Sequence, residues 1–416
     1  MGRRMALNFI DSVLLFYMFV GLYMVSLFIF IYFPNRKRIF ISPNSKPEPV
    51  SIIIPCYNEE ETIGKTIESL LNLDYPKNMI EIIVVDDKSK DNSAKVAAEY
   101  AKKYKNVSLI INKRNSGGAA EPTNIGVKTA RYNYIAVTDA DSSPKKNALK
   151  KMLGFLQEDK KVAAVTCSVL VKEQKTFMQK LQAIEYVVIA FGRRILDMVD
   201  AVYVTPGPFA LYRKKSLIEV GLFDTKNLTQ DIEIVWRLIA HGYKASMAIS
   251  AKVYSDAPTK FRHWWKQRIR WNIGGTQSII KHKSKIFKRG MLGAFIIPYF
   301  SASLFLGLFG LGMFLYLFTR RILFYYLSTS YSVYAQTAVL TFQDLSFAPS
   351  ILNFFGATLL ILGGGFTLLM ISVMKEKNVT KKKILNILFY QIVYLSIYPF
   401  IMLTGLTRLI RGKYTW

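Results

Sequence analysis

No charged residue falls between Asp11 and Arg36, and the run from Val13 to Phe33 inside that interval is apolar almost throughout. A stretch of that length crosses ~30 Å of hydrocarbon as a single helix. The chain must therefore fold with a membrane at one end of it. Asn35-Arg36-Lys37-Arg38 follows at once, and basic residues flanking a span stay on the cytoplasmic side. A cleaved secretory signal is the rival reading, disfavoured because the apolar core is too long and no small-residue cleavage site follows. Residues 1–34 are thus expected to be a retained transmembrane anchor.

Apolar runs return after Arg289. Residues 292–318, 351–374 and 384–407 read as three clear spans, and 322–342, apolar but rich in Ser, Thr and Tyr, is a candidate fourth. If that stretch spans, the basic C-terminus is cytoplasmic; otherwise it lies outside. Lys375, Lys377 and Lys381-Lys382-Lys383 mark a cytoplasmic loop between the last two spans. A hydrophobic content of 51% agrees with a membrane protein. The net charge of +28 is spread through the polar part of the chain instead of forming a tail or an RNA-binding signature. It argues for a cytoplasmic domain held against anionic membrane lipid and against a nucleic-acid partner. Cys56 and Cys167 sit inside apolar, strand-like runs, which reads as buried packing in a reducing compartment.

Between the apolar ends, short strands alternate with amphipathic helices. The pattern predicts strands Val50–Tyr57, Ile80–Asp87, Val107–Asn112 and Tyr134–Asp139, with helices Glu61–Leu73, Asn92–Tyr104 and 122–131 between them. Such a βαβ series implies a mostly parallel sheet covered by helices, which binds ligands at the carboxyl ends of its strands. Three of those ends are polar or acidic: Tyr57-Asn58-Glu59, Asp86-Asp87 and Asp139-Ala140-Asp141. Carboxylates gathered at one sheet edge call for a divalent cation, Mg²⁺ or Mn²⁺, which takes carboxylate and phosphate oxygens together. Neither a Walker A sequence nor a GxGxxG is present.

Downstream, Thr229-Gln230-Asp231 opens a helix, and a second helix is predicted over 259–275. At ~100° per residue, Gln267, Arg270 and Trp271 share one face of the second helix, and Phe261, Trp265, Ile269 and Ile273 the other. The first face offers an amide, a guanidinium and an indole, suited to phosphate oxygens and a sugar ring. The second, with Trp264 near its edge and Lys260, Arg262, Lys266 and Arg268 around it, reads as lying in a membrane interface. Residues 177–199 carry Phe177, Leu181, Ile184, Val188, Phe191 and Ile195 at helical spacing. An interface helix or core packing fits them.

Pro55-Cys56-Tyr57-Asn58-Glu59, Val84-Val85-Asp86-Asp87-Lys88-Ser89, Asp139-Ala140-Asp141, Thr229-Gln230-Asp231 and Gln267-Arg268-Ile269-Arg270-Trp271, in that order, resemble the signature of membrane-integrated family 2 glycosyltransferases. That family includes poly-N-acetylglucosamine, chitin, hyaluronan and cellulose synthases and ceramide glucosyltransferase. The resemblance covers about 50–285. It implies an α/β GT-A domain, Rossmann-like and inserted between transmembrane helices, with a cytoplasmic catalytic part over 35–258 and an interface-helix region over 259–290. A transmembrane region over 291–416 completes the chain, which resides in the cell membrane. By the same resemblance Tyr57, Glu59 and an aspartate of Asp86-Asp87 hold the uridine, and Asp141 with Asp139 carries the metal on the diphosphate. Asp231 is the general base, Gln267 and Arg270 grip the pyrophosphate, and Trp271 floors the acceptor site. Gly207-Pro208-Phe209-Ala210 with Tyr212-Arg213 resembles the acceptor-side loop, although a buried strand and turn fits equally well.

The sequence departs from the family where Gln230 replaces the usual Glu and Ala119 a common Lys in Asn115-Ser116-Gly117-Gly118-Ala119. No counterpart of the cellulose-synthase gating loop is evident, and Trp416 in the terminal segment reads as a plain tail. The expected activity is processive, inverting transfer from a UDP-sugar donor to a growing polysaccharide, with single transfer to a lipid acceptor as the alternative. A transporter is disfavoured, because the three clear C-terminal spans hold no charged residue.

Overall fold

The structure is a computed structural model describing residues 9–288, 290–336, 351–376 and 384–414. An apolar helix α1 (Phe9–Asn35) leads into β1 (Val50–Cys56), α2 (Ile63–Leu71), β2 (Ile80–Asp86), α3 (Ser93–Lys103), β3 (Val107–Ile111), α4 (Ala120–Thr129) and β4 (Tyr134–Val137). Then come β5 (Ser143–Pro144), α5 (Ala148–Glu158), β6 (Val162–Val171), α6 (Phe177–Asp197), β7 (Ala210–Arg213), α7 (Lys214–Glu219), α8 (Gln230–Ala240), β8 (Lys244–Ser255) and α9 (Phe261–His282). The chain closes with α10 (Ile297–Tyr334), α11 (Ile351–Met374), α12 (Ile384–Phe389) and α13 (Tyr398–Ile410).

Eight strands form one sheet in the order β3-β2-β1-β4-β7-β6-β8-β5. Only β7 and the short β5 oppose the other six, so the sheet is mostly parallel, as the alternation predicts. Helices cover both faces, which is why all seven residues of β2 are buried and five of them are Ile or Val; the buried Glu81 accepts from the Ser51 hydroxyl and pairs with Arg131. Parallel register sets Cys56 beside Asp86, and Ile53 beside Val137. The segments after β1, β2 and β4 therefore leave the sheet along one edge. Cys56 and Cys167 are free and buried, and burial pushes both thiols up to about 12.

Among the described residues, four helices are long and apolar enough to cross a membrane: Phe9–Asn35, Leu292–Tyr334, Phe354–Met374 and Ile384–Ile410. The second and third each touch the first. The Tyr17 hydroxyl donates to the Leu306 carbonyl at 2.7 Å, Phe28 meets Phe366 edge-on, and a Cβ at Gly21 would touch Leu359 at 3.0 Å. Residues 322–334, half of the candidate fourth span, continue α10 without a break, because no Gly or Pro interrupts them. Residues 337–342 of that candidate, together with Lys377, Lys381-Lys382-Lys383 and Trp416, lie outside the described residues.

The segment 384–407, read from sequence as a span, lies in one of these candidate membrane helices and also packs against the domain. A π turn (Tyr390–Tyr394) and a 3-10 turn (Leu395–Ile397) join α12 to α13. Phe389 packs edge-on against Phe177 of α6, Tyr394 packs on Trp264 of α9, and a Cβ at Gly405 would lie 2.5 Å from the Asn272 side chain. This contact corrects the expectation for α9. Trp264, Ile269 and Ile273 are buried, and Arg268 is 2% exposed, because the last helix supplies an apolar partner where lipid was expected. Of the apolar residues named on that face only Phe261, at 49%, stays well exposed, alongside the basic Arg262 and Lys266. Likewise Leu181, Ile184, Phe191 and Ile195 of α6 are core residues.

Gly274 is where α9 meets the start of α8. A Cβ there would stand 2.3 Å from the Thr229 hydroxyl and 2.6 Å from its backbone nitrogen, and backbone cannot swing aside. Gly274→Ala is expected to shift the Thr229-Gln230-Asp231 segment and lower turnover at least ~10-fold, since small misplacements of reacting groups are costly. Wild-type turnover in a folded Gly274→Ala protein, with folding checked by size exclusion, would refute this.

Candidate active site

A cleft of about 1010 Å³ opens at the carboxyl ends of β1, β2 and β4, closed in by residues of α6, α8 and α9. Tyr57, Glu59, Asp87, Asp139, Asp141, Gly207, Asp231, Gln267, Arg270 and Trp271 all line it, although up to 214 positions separate them in the chain (271 − 57).

Asp139 and Asp141 leave the end of β4, where burial and crowding act on both. The Asp139 carboxyl is pushed up to about 8, first by burial and then by Asp141 and Asp231, with Arg270 pulling the other way. Burial also raises Asp141, against hydrogen bonds from Ser142 and Ser255. Gly207 belongs beside Asp139 for steric reasons: a Cβ there would lie 2.5 Å from its Oδ1. Burial raises Glu59 as well, and its Oε2 accepts from Thr62 at 2.7 Å.

Asp231 sits in the first turn of α8, where the macrodipole favours a carboxylate. Burial nevertheless pushes its carboxyl up, with Arg270 and then Arg193 working against that. Gln230, at the position where the family has Glu, presents a buried Oε1 with no hydrogen-bond partner among the described residues.

Phe209, Tyr212, Arg213 and Asp86 fall outside the cleft. Phe209 is fully buried in the core under β1 and β6, and its carbonyl accepts from the Cys167 thiol. The strand pattern turns it away as the chain enters β7, so it cannot contact an acceptor. Tyr212 and Arg213 are likewise strand residues, Tyr212 paired with the Thr205 hydroxyl and Arg213 with the Val162 carbonyl. Asp86 is 2% exposed and does not line the cleft; its Oδ2 accepts from the Ser89 backbone. Asp87 lines it but spends its carboxylate on the glycine loop, accepting from Asn112 at 2.8 Å and from the Ser116 backbone and hydroxyl at 2.9 and 2.7 Å. That brace holds Gly117, at φ +78°, and Ala119 on the rim.

Arg193 and Tyr414 are among the cleft residues that escaped the sequence reading. Arg193 of α6 is 5% exposed, and its Nε has no partner among the described residues. One Arg in an amphipathic helix carries no motif to announce it. Tyr414, just beyond α13, also lines the cleft; the tail around it reads from sequence as plain chain.

Glu233, two residues after Asp231 and so on the other side of α8, ties α8 to α9. Although burial opposes it, His282, Arg237 and Lys281 hold this carboxyl down at about 2; the Lys281 contact is 2.7 Å. A folded value below the unfolded one of ~4.3 stabilises fully above ~4.3 and loses that contribution as pH falls toward the folded value. Thermal half-life of the purified protein is expected to drop across that window. Glu233→Gln should be less stable near neutrality and flatter in acid; an unchanged acid profile would sink the assignment.

Among the described residues no group of three or more His, Cys, Asp or Glu is arranged to hold a metal ion. A cation held by one or two carboxylates and completed by substrate phosphates needs no such group. The Asp139 and Asp141 carboxyls, raised first by burial and then by Asp141 and Asp256 respectively, fit such an ion.

Residues 51–221 match the model of Glycosyl transferase family 2. The Poly-beta-1,6-N-acetyl-D-glucosamine synthase of Staphylococcus epidermidis is 31% identical over 299 residues, covering 70% of this chain and 71% of that protein. The synthase of the same name from Staphylococcus aureus (strain COL) is 31% identical over 283 residues, 66% and 67% of the two chains. Among solved structures, mannosyltransferase PcManGT from Pyrobaculum calidifontis, in complex with GDP-Man and Mn²⁺, superposes with a TM-score of 0.60 at 19% identity. It covers 98% of this chain and 100% of that one, a likeness of fold.

Proposed function

The chain belongs to glycosyl transferase family 2, and from that membership we propose that it extends a β-linked polysaccharide from a UDP-sugar and passes the product into or across the membrane. It is a hexosyltransferase with a GT-A domain set among apolar helices. UDP-GlcNAc is the favoured donor and UDP-Glc the next, because the curated relatives are poly-N-acetylglucosamine synthases matched along two thirds or more of their length. That similarity is the observation that carries the polymer reading.

In this mechanism Asp231 takes the proton of the acceptor hydroxyl, whose oxygen attacks the anomeric carbon from the face opposite the diphosphate. The bond from that carbon to the diphosphate breaks, UDP leaves with the electron pair, and the configuration inverts. An upward-shifted carboxyl suits a general base working near neutral pH. Gln267 and Arg270 hold the diphosphate, Tyr57, Glu59 and Asp87 border the nucleoside end, and Trp271 floors the acceptor. Asp139 and Asp141 would hold Mg²⁺ or Mn²⁺, which when bound offsets charge developing on the leaving group.

We place the catalytic domain in the cytoplasm, supported by Arg36-Lys37-Arg38 after α1. In this reading α1, α10 and α11 cross, and the last helix lies along the boundary of domain and membrane. Its inner residues Ile387, Tyr390, Tyr394 and Ile401 are buried, while Leu385, Ile392 and Leu403 face outward. Such an arrangement returns the C-terminal end to the catalytic side.

Product analysis tests the proposal. Purified protein given UDP-GlcNAc or UDP-Glc should yield a ladder or high-mass polymer. Trp271→Ala should shorten or abolish the product with UDP binding largely kept, because stacking on the terminal sugar contributes ~1 kcal/mol or more. Only a monoglycosylated lipid across all donors would replace this reading with single transfer.

A further inference from the structure

Within Gln267-Arg268-Ile269-Arg270-Trp271, Arg268 and Ile269 do not line the cleft, yet Arg268 touches two residues that do. Its Nη1 donates to Gln267 Oε1 at 2.6 Å, and its guanidinium lies 4.0 Å from the centre of the Trp271 ring. On the other side it is ion-paired to Glu185 of α6, and both groups are almost wholly buried. Glu185 also accepts from the hydroxyls of Tyr394, at 2.8 Å, and Tyr398, and the Tyr398 hydroxyl accepts from Arg268 Nε at 3.2 Å. The π turn that ends at Tyr394 sits in this contact; π turns gather at functional positions.

A guanidinium only donates. Its bond to Gln267 must therefore fall on the amide oxygen, which turns the Gln267 NH₂ group outward as a donor. A donor is the polarity that diphosphate oxygens require. The same planar cation stacks on Trp271 and restricts the ring. A buried ion pair is costly to keep for stability alone, and this one spans three separate parts of the chain.

We propose that Arg268 is a positioning residue through which the last apolar helix, by way of Glu185, Tyr394 and Tyr398, sets the orientation of Gln267 toward the donor and of Trp271 toward the acceptor. The proposal rests on the reading of Gln267 and Trp271 given above, and it adds that the membrane-side helix tunes both. Lysine at 268 keeps the charge opposite Glu185 but loses the second donor and the flat face.

The test uses the full-length protein in detergent. Arg268→Lys is expected to weaken UDP binding and raise KM for the UDP-sugar at least ~5-fold, and to shorten the product, with an unfolding temperature close to the parent's. Tyr394→Phe with Tyr398→Phe should shift the same two readouts in the same direction by a smaller factor. Gln267→Ala combined with Arg268→Lys should weaken UDP binding no further than Gln267→Ala alone, as expected of residues acting in series. A purely structural role would give additive losses, and that outcome overturns the proposal. So does unchanged UDP affinity and product length in Arg268→Lys; if that variant fails to fold, the paired tyrosine variant decides by the same criteria. UDP binding is measured without turnover, so a parent protein that makes no polymer would count against the polymer reading and leave this test standing.

Discussion

Asp231→Asn is expected to lower turnover by at least ~10²-fold, the scale of losing a positioned general base, and to leave UDP affinity in the presence of metal within a small factor of the parent's. The two carbonyl-type oxygens of the aspartate become one, and the amide cannot accept the acceptor proton. The segment itself should hold, because the Asp231 backbone carbonyl and the Thr229 cap are fixed by Thr205 and Asn227 and need no carboxylate. A folded Asp231→Asn protein with parental turnover would remove Asp231 from the mechanism.

The second large effect belongs to Asp141. Asp141→Asn should also cost at least ~10² in turnover, but here UDP affinity should fall with it and respond little to added Mn²⁺. Burial raises the Asp139, Asp141 and Glu59 carboxyls, and neighbouring carboxylates add to it, so a cation or a substrate complex of one entering the cleft meets acids that it would stabilise in charged form. Chelation of the parent protein should reproduce the variant's loss, and either Mg²⁺ or Mn²⁺ should restore it. Equal UDP affinity with and without metal in the parent would overturn the metal assignment.

Local pattern carried the first half of the domain. Every strand predicted from Val50 to Asp139 is present, ending one or two residues early, because a run such as Ile80–Asp86 can be buried on both faces only inside a sheet. The ordered motifs likewise put Tyr57, Asp141, Asp231 and Trp271 into one cleft. What the sequence hid was contact between distant surfaces. The apolar face of α9 looks the same whether lipid or α13 covers it, and only the fold reveals that Trp264 and Ile273 meet protein. Phe209 followed its motif into the wrong place because neighbouring strand residues point to opposite faces. Arg193 and Tyr414 belong to no motif at all. They reach the cleft through the packing of α6 and α13.

The cleft draws on residues from Pro55 to Tyr414, so its walls are made at widely separated moments. During synthesis the sheet and the acidic edge can form once residue 255 has emerged, yet the last helix, which braces Glu185 and Arg268, comes well over a hundred residues later (394 − 255 = 139). At ~5–20 residues per second, the nascent domain spends several seconds or more as a folded but unbraced sheet. A synthase built this way does not have its finished geometry until its last helix has packed against α6 and α9. Under the proposed function, product therefore begins to grow only from a chain whose C-terminal helices are already in place.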